Sequence, residues 1–166
     1  PNGVYELRAQ GFFRYGSATL ASTYREKDDE RLQATLYANE ASTPLMSIFE
    51  HADHNSIPSD ESATTKSGTI PSTMNAASAM FSADLYKNKL LVEVTDGTLR
   101  LGVKKTTTSP TASWTVFDNF ELYYLGTEMP SAIEHISSEN THDESERIYD
   151  LAGRRLNGKP SSKGIY

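Results

Sequence analysis

The residues best suited to chemistry in this chain are aromatic side chains set beside polar ones. Tyr15 and Tyr24 flank a polar, charged stretch, and Trp114 opens an apolar run. Aromatic faces stack on sugar rings through C–H contacts, while Arg, Asn and Asp side chains hydrogen-bond the hydroxyls. Arg14, next to Tyr15, and Asn39, in "LYANEAS", supply such groups. The candidate carbohydrate-binding set is Arg14, Tyr15, Tyr24, Asn39 and Trp114. For Trp114 the competing role is core packing, because it alternates with apolar neighbours.

Asp118 raises a separate question. In "SWTVFDNFELYYLG" (113–126) every second residue from Trp114 to Tyr124 is apolar except Asp118. A strand sends those residues to one face. An unpaired buried carboxylate costs several kcal/mol, so Asp118 is expected to meet a cation, an arginine or N–H donors, or to sit at a wet strand end.

Other constellations are weaker. "HADH" (51–54) has two histidines three apart, a spacing that could start a metal site on a helix, but it falls in a polar stretch without a clear third ligand. There is no Gly-x-Ser-x-Gly elbow and no Gly-rich phosphate loop. No catalytic constellation emerges, so a non-enzymatic role is expected.

Composition narrows the classes. The 166 residues suit one ordinary domain plus a short extra segment. A net charge of −6 argues against a nucleic-acid surface, and the absence of Cys excludes disulfide scaffolds and thiolate chemistry. No apolar run approaches the roughly 20 residues that a membrane helix needs, so no membrane insertion is expected. The opening Pro1-Asn2-Gly3 without a Met, and the end at Tyr166 within strand-like sequence, read as a window onto a longer precursor.

The elements that must position these residues follow from periodicity. "VYELRAQGFF" (4–13) alternates as a half-buried strand, with Tyr5, Leu7, Ala9 and Phe13 on one face. Residues 16–31 read as a long loop, 32–39 and 44–49 as strands, and 50–72 as a second long loop. From Met74 the apolar spacing is helical, with Ser72 or Thr73 as cap. Asp96-Gly97 predicts a hairpin pairing Val94 with Leu99, Val92 with Leu101 and Leu90 with Val103. Several short strands and one short helix indicate an all-β sandwich or barrel over 1–126. A polar linker over 127–145 and a short C-terminal β segment over 146–166 complete the chain.

Two resemblances bear on this reading. "PNGVYELRAQGFFR", "LYANEASTPL", "PSTMNAASAMFSADLYKNKLLVEVTDGTLRLGVKK" and "WTVFDNFELYYLG" resemble, in order, a galactose-binding-like jelly roll, the fold of many carbohydrate-binding modules of glycan-degrading gut and oral bacteria. That family usually carries a first strand or two before the "PNG" turn. "IYDLAGRRLNGKPSSKGIY" is similar to the start of the C-terminal sorting domain of type IX secretion. Together they imply a non-catalytic glycan-binding module, monomeric within a longer chain, in a secreted or outer-membrane-surface protein. A structural or protein-interaction β-sandwich with no sugar ligand is the alternative. The resemblance also implies a structural Ca2+ to which Asp118 would contribute, beside the arginine, N–H and solvated alternatives.

Overall fold

The computed structural model describes residues 1–106, 108, 110–129, 148–149 and 155–156. The chain divides into two compact units, Pro1–Met129 and Pro130–Tyr166. In the second unit β10 (Ile148–Tyr149) pairs antiparallel with β11 (Arg155–Leu156). The expected linker lies largely outside the described residues.

The first unit is an all-β sandwich built around β1 (Gly3–Arg14). On one flank β1 pairs antiparallel with β7 (Lys87–Val94), from Gly3↔Val94 to Gln10↔Lys87. Further along the same strand it pairs in parallel with the short β4 (Met46–Ser47). Asn88 closes the joint between the two. Its amide donates to the Gly11 and Tyr86 carbonyls, each at 2.8 Å, and its oxygen accepts the Met46 N–H at 2.9 Å. The other flank of β1 pairs along its length with β9 (Trp114–Gly126), whose only strand neighbour among the described residues is β1.

A second sheet has the order β3-β2-β8, from β3 (Ala41–Pro44), β2 (Ala34–Ala38) and β8 (Leu101–Lys105). Between the sheets lies a core of Tyr5, Leu7, Ala9, Phe13, Leu36, Val92 and Val94, with their neighbours. The alternation of β1 therefore faces the way its sequence indicates. Phe12 points to the opposite face, into a second core with Ile48, Ile70, Met80, Phe81 and Tyr86.

That second core is roofed by two helices. The expected α2 (Met74–Ser82) begins at Thr73, whose hydroxyl accepts the Ala76 N–H. The other, α1 (Ala18–Glu26), lies where a loop is expected, capped by Ser17 through the Leu20 N–H. Its buried residues are Ala21 and Ser22. Side chains so small leave no helical hydrophobic period to read, which is why polarity alone suggests loop. The other expected loop also contains a hairpin, β5 (Ser62–Thr65) with β6 (Gly68–Pro71). After β4 the chain turns into a 3-10 helix, Ile48–His51, rather than continuing as strand.

The expected Asp96-Gly97 hairpin is not formed. Both segments are strands, but β7 joins the sheet of β1 and β8 pairs with β2, from Ala34↔Lys105 to Ala38↔Leu101. The chain crosses from one sheet to the other at Asp96-Gly97. Two strands facing one core from opposite sides show the same apolar alternation as two paired strands, so pattern alone does not separate them. The second sheet has its own two-residue hairpin at Asn39-Glu40, with Ala38 opposite Ala41 and Asn39 at φ +50°. Short polar Asn tolerates that left-handed backbone.

Candidate functional site

The candidate residues fall into separate places. At the end of β1, the Arg14 guanidinium carbon lies 5.4 Å from the Trp114 ring centroid. Arg14 donates to the Gly16 carbonyl at 3.1 Å and to the Ala112 carbonyl at 3.0 Å. Burial draws its pKa below the ordinary value. The Trp114 ring meets Phe12 edge-on at 5.5 Å, so it closes the second core while remaining half-buried. Beside this pair, Tyr15 and Tyr24 meet edge-on at 5.8 Å, and Arg31 lies over Tyr24 at 5.3 Å. Tyr24 belongs to α1 rather than to a loop.

Asn39 is at the opposite end of the sandwich. Its side-chain amide donates to the Thr98 carbonyl at 3.0 Å, and its oxygen accepts the Arg100 N–H at 2.8 Å. Its backbone N–H also donates to the Arg100 carbonyl at 2.7 Å. Asn39 thus clamps the crossover into β8.

Asp118 is exposed. Its carboxylate accepts the Asn119 N–H at 2.8 Å. The expectation of an enclosed Asp118 is not met, and a β-bulge breaks the single face on which that expectation placed it with Phe120 and Leu122. Arg8 pairs with Glu121 and Gln10 with Asp118, so two residues of β9, Asn119 and Phe120, stand opposite the single Ala9. Asn119 takes φ +52°. The extra residue reverses the strand's faces there. Trp114, Val116 and Asp118 share the face of Phe12, whereas Phe120, Leu122 and Tyr124 share the face of Leu7. No group of three or more metal-ligating side chains occurs among the described residues. The "HADH" residues serve the local fold: His51 packs edge-on against Tyr86, Asp53 accepts the Thr69 N–H, and His54 accepts the Ser56 N–H.

The bulge leaves an apolar stripe uncovered. Phe117, Phe120, Leu122 and Tyr124 are each 40–49% exposed, the second sheet packing chiefly on β7 and β1.

A broad open groove of about 1270 Å³ borders the outer face of the second sheet. Tyr37, absent from the sequence-based set, lines it. It lies directly opposite Gly102 in the β2–β8 ladder. A Cβ at Gly102 would stand 3.2 Å from Tyr37 Cε1 and 3.3 Å from its hydroxyl, so the ring rests on the glycine backbone. An aromatic pressed across a glycine lies along the sheet and turns part of its surface to solvent. Thr35, Ser42, Arg100 and Lys104 border the same groove. The readable signal was Tyr37 and Gly102 together, but their juxtaposition depends on the β2–β8 pairing, which the expected hairpin concealed.

Neither a protein-family model, nor a curated protein, nor a solved structure matches this chain. No helix among the described residues is long and apolar enough to cross a membrane.

Proposed function

We propose that this chain is a non-catalytic carbohydrate-binding accessory module of a secreted or surface-displayed bacterial protein. The observation that carries the reading is the Tyr37 ring held against Gly102 in the lining of an open polar groove. Sugar recognition needs an apolar ring face with hydroxyl-bonding groups around it, and Thr35, Ser42, Arg100 and Lys104 supply them. Such a module raises the local concentration of whatever activity it is joined to on a glycan surface. The sorting-like residues 148–166 support the cellular placement. Arg14, Tyr15, Tyr24 and Trp114 form a second aromatic and cationic cluster at the far end of the sandwich, available as a separate contact.

Calorimetry of the full chain against a panel of plant, host and microbial polysaccharides tests the reading. A weak binder is expected, with binding lost on Tyr37→Ala and kept on Tyr15→Ala. Failure to bind any member of the panel overturns it. The exposed apolar side chains of β9 favour the second reading in that event, a β-sandwich whose business is with other polypeptide rather than sugar.

A further inference from the structure

Two cations stand on the outer face of the second sheet on either side of Tyr37. Gly102, opposite Tyr37, is flanked two residues away on each side by Arg100 and Lys104, which strand alternation sends to the same face. Four residues of extended chain set the two backbone positions about 13 Å apart, a span on the scale of a short oligosaccharide. Both residues are exposed and both border the groove. The ion pairs among the described residues engage Arg8, Arg25, Arg31 and Lys87, and neither Arg100 nor Lys104.

The base of Arg100 is fixed. Its N–H and its carbonyl are both bonded to Asn39, at 2.8 Å and 2.7 Å. Lys104 is held in register by Thr35 across the β2–β8 ladder. A chain with net charge −6 repels polyanions in general. Glu40, Glu93 and Asp96 also border the groove, and so does Lys105, which alternation within β8 sends to the face opposite Lys104. The cationic part of the groove is thus confined to the β8 strip, and the two cations beside Tyr37 are Arg100 and Lys104. A local pair of free cations about an aromatic ring, on an otherwise acidic protein, selects a ligand that alternates ring surface with negative charge.

We infer that the groove takes an acidic polysaccharide, with one sugar ring on Tyr37 and anionic substituents of its neighbours on Arg100 and Lys104. The inference rests on the carbohydrate-binding reading and names the class of glycan within it. Carboxylate and sulfate groups offer the same chemistry to an arginine and a lysine, so both are probed.

The experiment is calorimetry of the full chain with polygalacturonate and its methyl ester, dextran sulfate and dextran, and polyglutamate. At least one acidic polysaccharide is expected to bind roughly tenfold or more tightly than its neutral counterpart, and to weaken with added salt. Arg100→Gln and Lys104→Gln should each weaken that binding roughly threefold or more while leaving the melting temperature unchanged. Tyr37→Ala should abolish it. Equal binding of acidic and neutral partners overturns this inference and leaves the carbohydrate-binding reading standing. Polyglutamate binding as tight as the acidic glycans, or acidic binding that survives Tyr37→Ala, also overturns it, since charge alone would then suffice. If no polysaccharide binds, both readings fall.

Discussion

Asn119 donates its side-chain amide to the Gln10 oxygen across the β1–β9 ladder, and its φ of +52° forms the bulge that reverses the faces of β9. Gln10 is in turn buried, and its amide donates to the Phe81 carbonyl at 2.9 Å and the Leu85 carbonyl at 2.8 Å. The bulge in the β1–β9 ladder and the end of α2 are therefore joined through one glutamine side chain. Asn119→Val forces a β-branched residue into left-handed backbone and should cost about 1–3 kcal/mol. Asn119→Gly keeps the backbone and loses only the amide, so it should cost less. Urea unfolding of the two variants separates strain from hydrogen bonding. Equal costs would show that φ plays no part.

Gln10→Leu should be worse than its volume implies. It leaves the Phe81 and Leu85 carbonyls without their donor inside the protein, at about 1–3 kcal/mol. Asp118→Ala, two positions from the bulge's far side, should change stability by less than about 0.5 kcal/mol, because the carboxylate is solvated. A large loss on Asp118→Ala would mean that the carboxylate has a partner beyond the Asn119 N–H.

Leu7 and Leu122 face each other across the same ladder, yet Leu7 is 0% exposed and Leu122 is 45% exposed. Leu7→Ala should cost about 2–5 kcal/mol by leaving a cavity between the sheets, and Leu122→Ala under about 1 kcal/mol. Thermal unfolding of both variants at matched concentration reads the difference. Comparable losses would show that Leu122 is covered in solution.

Tyr86 supplies a pH signature. Its hydroxyl donates to the buried Ile48 carbonyl at 2.7 Å, and burial, aided by the nearby Glu50 charge, pushes the phenol well above its ordinary value of 10.0. The neutral form is thus favoured in the folded state. Its contribution is fully present below pH 10 and is lost as pH rises above that, where the unfolded phenol ionises and the folded one does not. Tyr86→Phe should cost about 1–2 kcal/mol at neutral pH and flatten the alkaline decline between pH 10 and 11.5. An unchanged alkaline slope in Tyr86→Phe would exclude this phenol as its source.

Gly97, at φ +75°, turns the crossover between the sheets, and a Cβ there would meet only Asn2 Oδ1, at 3.9 Å. Space is not the obstacle to a side chain, but backbone conformation is. Gly97→Val should cost about 1–2 kcal/mol, and Gly97→Asn noticeably less. Equal costs for the two would point to a lost contact instead.

The all-β class, the inward face of β1, the strand character of β2, β7, β8 and β9, and α2 with its Thr73 cap are all legible in the chain order of the residues. Each rests on a local rule, an alternation of side chains or a cap next to a helical spacing, and neighbours in the chain suffice to satisfy it. Which strands pair depends on contacts between residues far apart in the chain. Leu90, Val92 and Leu101, Val103 alternate identically whether they bond to one another or face a common core from two sheets, and long-range pairing sent them to different sheets. The same holds for Asp118, where one left-handed asparagine overrode a period of two. It holds as well for the groove, because Tyr37 and Gly102 are 65 positions apart and become a surface only when β2 and β8 lie side by side.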